Sequence, residues 1–234
     1  MKKRSKLFVF ILLLGVLFYC KDDIYNYTYS LINSGSSSSN MEDIADYNGN
    51  SYVIVNDNNP YFKEEEYTTD SFEKYSELDS LGRCGVAYAN ISKELMPTEK
   101  RGSIGFIKPS GWHTVKYDHI DGKYLYNRCH LIGYQLTGEN ANEKNLITCT
   151  RSMNTKGMLQ FENMVTKYIK DTDNHVLYRV TPVFEGNNLV ATGVEMEAYS
   201  VEDNGKGIKF NVFVYNIEDG VIIDYKTGDS KLAS

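Results

Sequence analysis

Residues 124–169 carry the pattern that most limits how this chain can fold. Tyr124-Leu125-Tyr126-Asn127-Arg128-Cys129-His130-Leu131-Ile132 is aromatic and aliphatic, which favours a strand. Gly133 to Asn142, marked by Gly138 and Asn140, reads as a loop, and Asn145-Leu146-Ile147-Thr148-Cys149-Thr150 as a second short strand. Met158, Phe161, Val165, Tyr168 and Ile169 then recur at helical spacing, with Lys and Glu between them. Strand, loop, strand, helix makes a ββα unit. Its helix has one apolar stripe to bury, so the rest of the chain must supply a partner layer.

The remainder can do so. With 234 residues, 41% of them apolar, the chain suits one α+β domain. Tyr52-Val53-Ile54-Val55 predicts the first strand, ended at Asn58-Asn59-Pro60, and Gly85 to Asn90 predicts a small-residue strand. Glu64-Glu65-Glu66 reads as surface. From His175 onward the pattern returns to strands, with turns at Gly186-Asn187-Asn188 and Glu218-Asp219-Gly220.

The first residues read differently. Lys2, Lys3, Arg4 and Lys6 precede an apolar run from Leu7 to Tyr19, which has the length of a signal-peptide core and falls short of a comfortable membrane span. Residues 1–20 are therefore expected to direct export. Tyr19 before Cys20 is too large for an ordinary lipidation site, and no small-x-small cleavage site follows. The leader's fate stays open between cleavage, giving a secreted protein, and retention as an extracellular membrane anchor. Residues 21–50, centred on Ser34-Gly35-Ser36-Ser37-Ser38-Ser39-Asn40, read as a flexible linker, and 51–234 as the folded domain.

Charge is unevenly spread. Residues 81–170 hold thirteen Lys/Arg against seven Asp/Glu, whereas 41–80 hold two against eleven and 171–234 five against eleven. A polyanion would be drawn to the basic middle, and the acidic total argues against a protein that coats DNA. Beyond the leader, only Cys84, Cys129 and Cys149 remain, so at most one internal disulfide forms. No Cys-x-x-Cys pair exists, which excludes a zinc ribbon.

One His in an aromatic strand, then two Asn and a Glu on the same ββα unit, fit phosphodiester hydrolysis. That reaction needs a base active near neutral pH and a cation to offset charge on the phosphorane-like transition state. His130 supplies the first. A hard cation such as Mg²⁺ prefers oxygen ligands and keeps several waters, so one amide oxygen can anchor it. Taken singly, each residue has a plain alternative: His130 as a half-buried histidine, Asn145 and Asn154 as a turn residue and a helix cap, Glu162 as a solvated helix residue.

Asn127-Arg128-Cys129-His130, then Asn145, then Asn154 nine residues on and Glu162 eight further, resembles the hallmark of the DNA/RNA non-specific endonucleases with a ββα-metal (His-Me finger) site. The likeness is nearest to exported nucleases of Gram-positive bacteria. Lys108-Pro109-Ser110-Gly111-Trp112 also resembles a segment that precedes the hallmark. The resemblance implies a ββα-metal nuclease core with a mixed or antiparallel central sheet and flanking helices. It implies His130 as general base and Asn154 as the Mg²⁺ ligand, with Mn²⁺ a substitute. Glu162 would hold the cation's waters, Arg128 would contact the phosphate, and Asn145 would support the His-bearing arm. Lys108, Trp112 and Arg151 are further candidates for touching the substrate, which would be DNA, with RNA a second candidate. Products would carry 5′-phosphate and 3′-hydroxyl ends.

Two departures stand out. Asn127 replaces the family's usual Asp, and Cys129 its usual Gly, where a positive φ would strain any side chain. An exported DNA-capture protein that lost catalysis through these two changes is the alternative from another class.

Overall fold

The computed structural model describes residues 44–233, so the leader and most of the linker lie outside the described residues. Ten strands follow in chain order: β1 (Tyr52–Ile54), β2 (Phe72–Tyr75), β3 (Ala87–Ile91), β4 (Tyr126–His130), β5 (Leu146–Thr150), β6 (Val176–Val183), β7 (Gly193–Ser200), β8 (Lys209–Tyr215), β9 (Val221–Ile223) and β10 (Ser230–Leu232). Two α-helices, α1 (Tyr134–Thr137) and α2 (Leu159–Thr172), lie between β4 and β6.

Six strands form one antiparallel sheet in the order β1-β8-β7-β6-β3-β2. Period-2 alternation decides its faces. Val176, Tyr178 and Val180 of β6 point the same way as Val194, Met196 and Ala198 of β7 and Phe210, Val212 and Val214 of β8. This face buries Phe161, Val165 and Ile169, the stripe of α2. Each large side chain so buried contributes about 1.5–3 kcal/mol. The helix ends at Asp173, which adopts the left-handed conformation with φ 62°.

The opposite face is polar and yet covered. Arg179 of β6 forms a two-pronged pair with Glu197 of β7, at 2.6 and 3.0 Å, and its guanidinium stacks on Phe62. Glu197 also accepts from the Tyr61 backbone, and Glu66 lies 3.6 Å from Arg179. The acidic stretch is therefore split: Glu64 and Glu65 face solvent, while Glu66 turns onto the sheet.

β4 and β5 stand apart as a two-stranded ribbon, with His130 opposite Leu146. Cys129 and Cys149 join it by a fully buried disulfide across a Cα–Cα distance of 5.9 Å, leaving Cys84 as a buried thiol. Cys129 sits in extended strand backbone, so it bears no positive-φ strain.

Two expectations need correcting. The loop predicted from Gly133 to Asn142 contains the single helical turn α1, stopped by Gly138 at φ 68°. The helix signalled from Met158 starts earlier: helical backbone begins at Arg151 and runs through a wide π-type stretch at Met153–Met158. Gly157 explains that stretch in part. A Cβ there would meet Val214 Cγ1 at 2.3 Å, so only glycine lets this turn press onto β8. Among the described residues, no helix is long and apolar enough to cross a membrane.

Candidate active site

The ribbon and the widened turn open onto one cleft of about 490 Å³. β4 contributes Tyr126, Asn127 and Arg128, and the turn contributes Arg151 and Asn154. Arg101, Ile104, Trp112 and Tyr124 close it from the preceding segment. Three arginines and two amides in its lining make a surface for a polyanion.

His130, at the end of β4, is 5% exposed. Its Nε2 lies 2.8 Å from the Asn140 carbonyl oxygen, and its Nδ1 3.3 Å from Arg101 Nη2. Burial, opposed by the carbonyl contact and aided by the Arg101 charge, pulls its pKa down to about 4. The imidazole is neutral at pH 7, the form a general base needs.

Asn145 fixes the chain just beyond His130. It is fully buried; its Oδ1 accepts from Ile132 N at 2.9 Å and its Nδ2 donates to Ile132 O at 3.0 Å. Its backbone carbonyl accepts from Leu131 N. The residue acts on the arm and is out of reach of a substrate.

Glu162 lies on α2 with 9% exposure. Its carboxylate accepts from Gln135 Nε2 at 3.3 Å and sits so close to Gly133 that a Cβ there would meet it at 2.5 Å. Burial raises its pKa to about 7, against the lowering effects of Gln135 and of the Arg101 charge. Arg101 therefore acts on both His130 and Glu162 while lining the cleft beside Asn154. The Asn154 side chain makes no hydrogen bond to any described residue, leaving its amide oxygen open to a ligand.

Arg128 donates to the carbonyls of Ile107 and Gly105, and its guanidinium lies 3.9 Å from the Trp112 ring. Arg151 lines the cleft but is paired with Asp121 at 2.8 Å. Lys108 is exposed and lies off the cleft wall. The other histidines are held elsewhere: His113 at Thr227 O, His119 at Asp219 O and His175 at Glu202. Sequence reasoning places Arg101 only among several cations of the basic segment that could line a phosphate groove, and gives Asn140 and Gln135 no role at the site. Arg101 had only its position in the basic segment to mark it. Asn140 acts through a backbone carbonyl, which every residue type has.

Comparison with known proteins decides the family. The profile of the DNA/RNA non-specific endonucleases matches residues 63–202. This chain belongs to that endonuclease family. A deoxyribonuclease of Streptococcus dysgalactiae subsp. equisimilis is 34% identical over 206 residues, covering 70% of this chain; the chain spans 62% of that protein's length. Among solved structures, NucA from Streptococcus agalactiae with magnesium bound superposes with a TM-score of 0.70 at 25% identity, over 80% of this chain and 89% of that one. The Sda1 nuclease with bound zinc gives 0.64 at 26% identity, over 79% and 97%. The fold is that of the ββα-metal nucleases, a metal-dependent class of endonuclease.

The residues present suit such an ion. Among the described residues no group of three His, Cys, Asp or Glu could cage a metal. The Asn154 amide oxygen, free of protein partners, and the buried carboxylate of Glu162 instead match a hard ion that keeps most of its water.

Proposed function

We propose that the protein is an exported, Mg²⁺-dependent endonuclease that hydrolyses phosphodiester bonds of DNA with little sequence preference. The observation that carries this is the neutral, buried imidazole of His130 beside a cleft lined by Arg101, Arg128, Asn127 and Asn154. Asn154 would hold the ion through its amide oxygen, with Glu162 behind it. Bound there, Mg²⁺ offsets the charge that develops on the phosphate.

The chain's own residues do the rest. Arg101 and Arg128 attract the phosphodiester and orient it, and contacts of that kind carry no base information. His130 takes a proton from the attacking water. The Asn140 carbonyl, accepting at Nε2, holds the ring and stabilises the imidazolium that results. Asn127 lines the cleft where the family usually has Asp, which lowers the negative charge around the ion and argues for weaker metal affinity. RNA fits the same phosphate contacts and is a second substrate of this reading. The leader's cations and apolar run support export, as does a buried disulfide, which persists in oxidising compartments.

Incubation of the purified protein with supercoiled plasmid and with RNA, in Mg²⁺, Mn²⁺ or EDTA, tests this. Nicking and fragmentation in either metal, and none in EDTA, are expected. Cleavage indifferent to chelator would remove the metal, and DNA shifted on a gel without shortening in Mg²⁺ would favour the capture protein.

A further inference from the structure

Arg101 and His130 are 29 residues apart in the chain, yet Arg101 Nη2 sits 3.3 Å from His130 Nδ1. A guanidinium has donors and no lone pair, so Nδ1 must accept in this contact. The imidazole proton is then on Nε2, where it is given to the Asn140 carbonyl at 2.8 Å. Both ring nitrogens are occupied. An imidazole held this way has no lone pair free to take a proton from water.

Arg101 itself is poorly anchored. It is exposed, lines the cleft, and among the described residues its side chain bonds only to this neutral ring nitrogen. A phosphodiester in the cleft offers it two oxygens that share one negative charge, in the bidentate geometry that suits its fork, a stronger set of partners. Arg128, which also lines the cleft, has donors already committed to the Ile107 and Gly105 carbonyls and is less able to follow the substrate.

We propose that Arg101 masks the Nδ1 lone pair of His130 in the free protein, and that a phosphodiester entering the cleft draws Arg101 away and exposes the base. This rests on the reading of His130 as general base, and it makes Arg101 a positioning residue that couples substrate binding to base availability. The exchange moves hydrogen bonds only; no covalent bond is made or broken. Its consequence is an imidazole that is reactive when a phosphate is present and shielded when the cleft is empty.

Nitrogen-15 NMR of the histidine-labelled full chain in EDTA reads the mask directly. The His130 signals are assigned by their loss in His130→Gln, and the thymidine dinucleotide TpT serves as an uncleaved probe without metal. In the wild type, the Nδ1 resonance is expected to move downfield, toward that of an unshared lone pair, as amide shifts report saturation by TpT. In Arg101→Ala the resonance should start at that downfield position and stay there on addition of TpT. Arg101→Lys, which keeps the charge and loses the fork, should start between the two. The amide spectrum of each sample verifies the fold. An Nδ1 that ignores TpT in the wild type, or that has the same shift in Arg101→Ala as in the free wild type, overturns the proposal. Neither readout needs cleavage, so a failure of the base assignment, seen as cleavage by His130→Ala, remains distinct.

Discussion

Asn145 clamps both polar groups of Ile132, accepting from its N–H at 2.9 Å and donating to its C=O at 3.0 Å. Ile132 lies two residues past His130, and both are buried, so this side chain takes the place of the strand partner that the end of β4 lacks. Asn145→Ala leaves the two backbone groups without partners. The expected cost is roughly 2–4 kcal/mol of stability, together with a fall in cleavage rate as the arm loosens. Urea denaturation of the two proteins checks it; an unchanged midpoint would show that the clamp is dispensable.

The Cys129–Cys149 disulfide sits one residue before His130 and closes a loop with a sequence separation of 20. Loop-closure entropy assigns such a link about 3 kcal/mol. Reduction should lower the midpoint of thermal unfolding of the wild type and leave Cys129→Ala/Cys149→Ala unmoved. Equal midpoints for the wild type with and without reductant would mean that the link adds nothing.

The ββα unit was legible because its signals are periodic. Tyr124 to Ile132 reads as a strand, and Phe161, Val165 and Ile169 read as one helical face whatever they pack on. Cys129 and Cys149 were legible as one possible pair among three thiols, and the register of β4 on β5 decides for them. The missed features have no such period. Four residues of α1 are too few to show a repeat, and the wide turn at Met153–Met158 depends in part on the approach of Gly157 to Val214, a contact made across the fold. Glu66, Arg179 and Glu197 look like solvent-facing residues of a half-buried sheet until the chain at Tyr61–Phe62 covers them. Arg101 and His130 meet through tertiary structure alone.

The buried pair of titrating groups predicts opposite pH trends in metal-free protein. His130 has a folded pKa of about 4, below the ordinary histidine value of 6.5, so its contribution is fully present above pH 6.5 and is lost as pH falls toward 4. Glu162 has a folded pKa of about 7, above the ordinary glutamate value of 4.5, so its contribution is full below pH 4.5 and is lost as pH rises through 7. In EDTA at pH 8, Glu162→Gln should therefore be more stable than the wild type, and Mg²⁺ should narrow the gap. Thermal unfolding at pH 5 and pH 8 measures this; a variant no more stable at pH 8 would contradict the cost assigned to the ionised carboxylate.

Asn154 offers a cleaner test of the ion. Its side chain bonds to no described residue, so Asn154→Ala should leave unfolding unchanged. The Mg²⁺ concentration giving half-maximal cleavage should rise roughly tenfold or more. A Mg²⁺ titration identical to that of the wild type would place the ion elsewhere.

The most direct measurement is plasmid cleavage by His130→Ala in Mg²⁺, on protein whose circular dichroism matches the wild type. A loss of roughly a hundredfold or more in rate is expected for removal of a general base, with partial recovery on adding free imidazole. Should the folded variant cut plasmid as fast as the wild type, His130 is not the base.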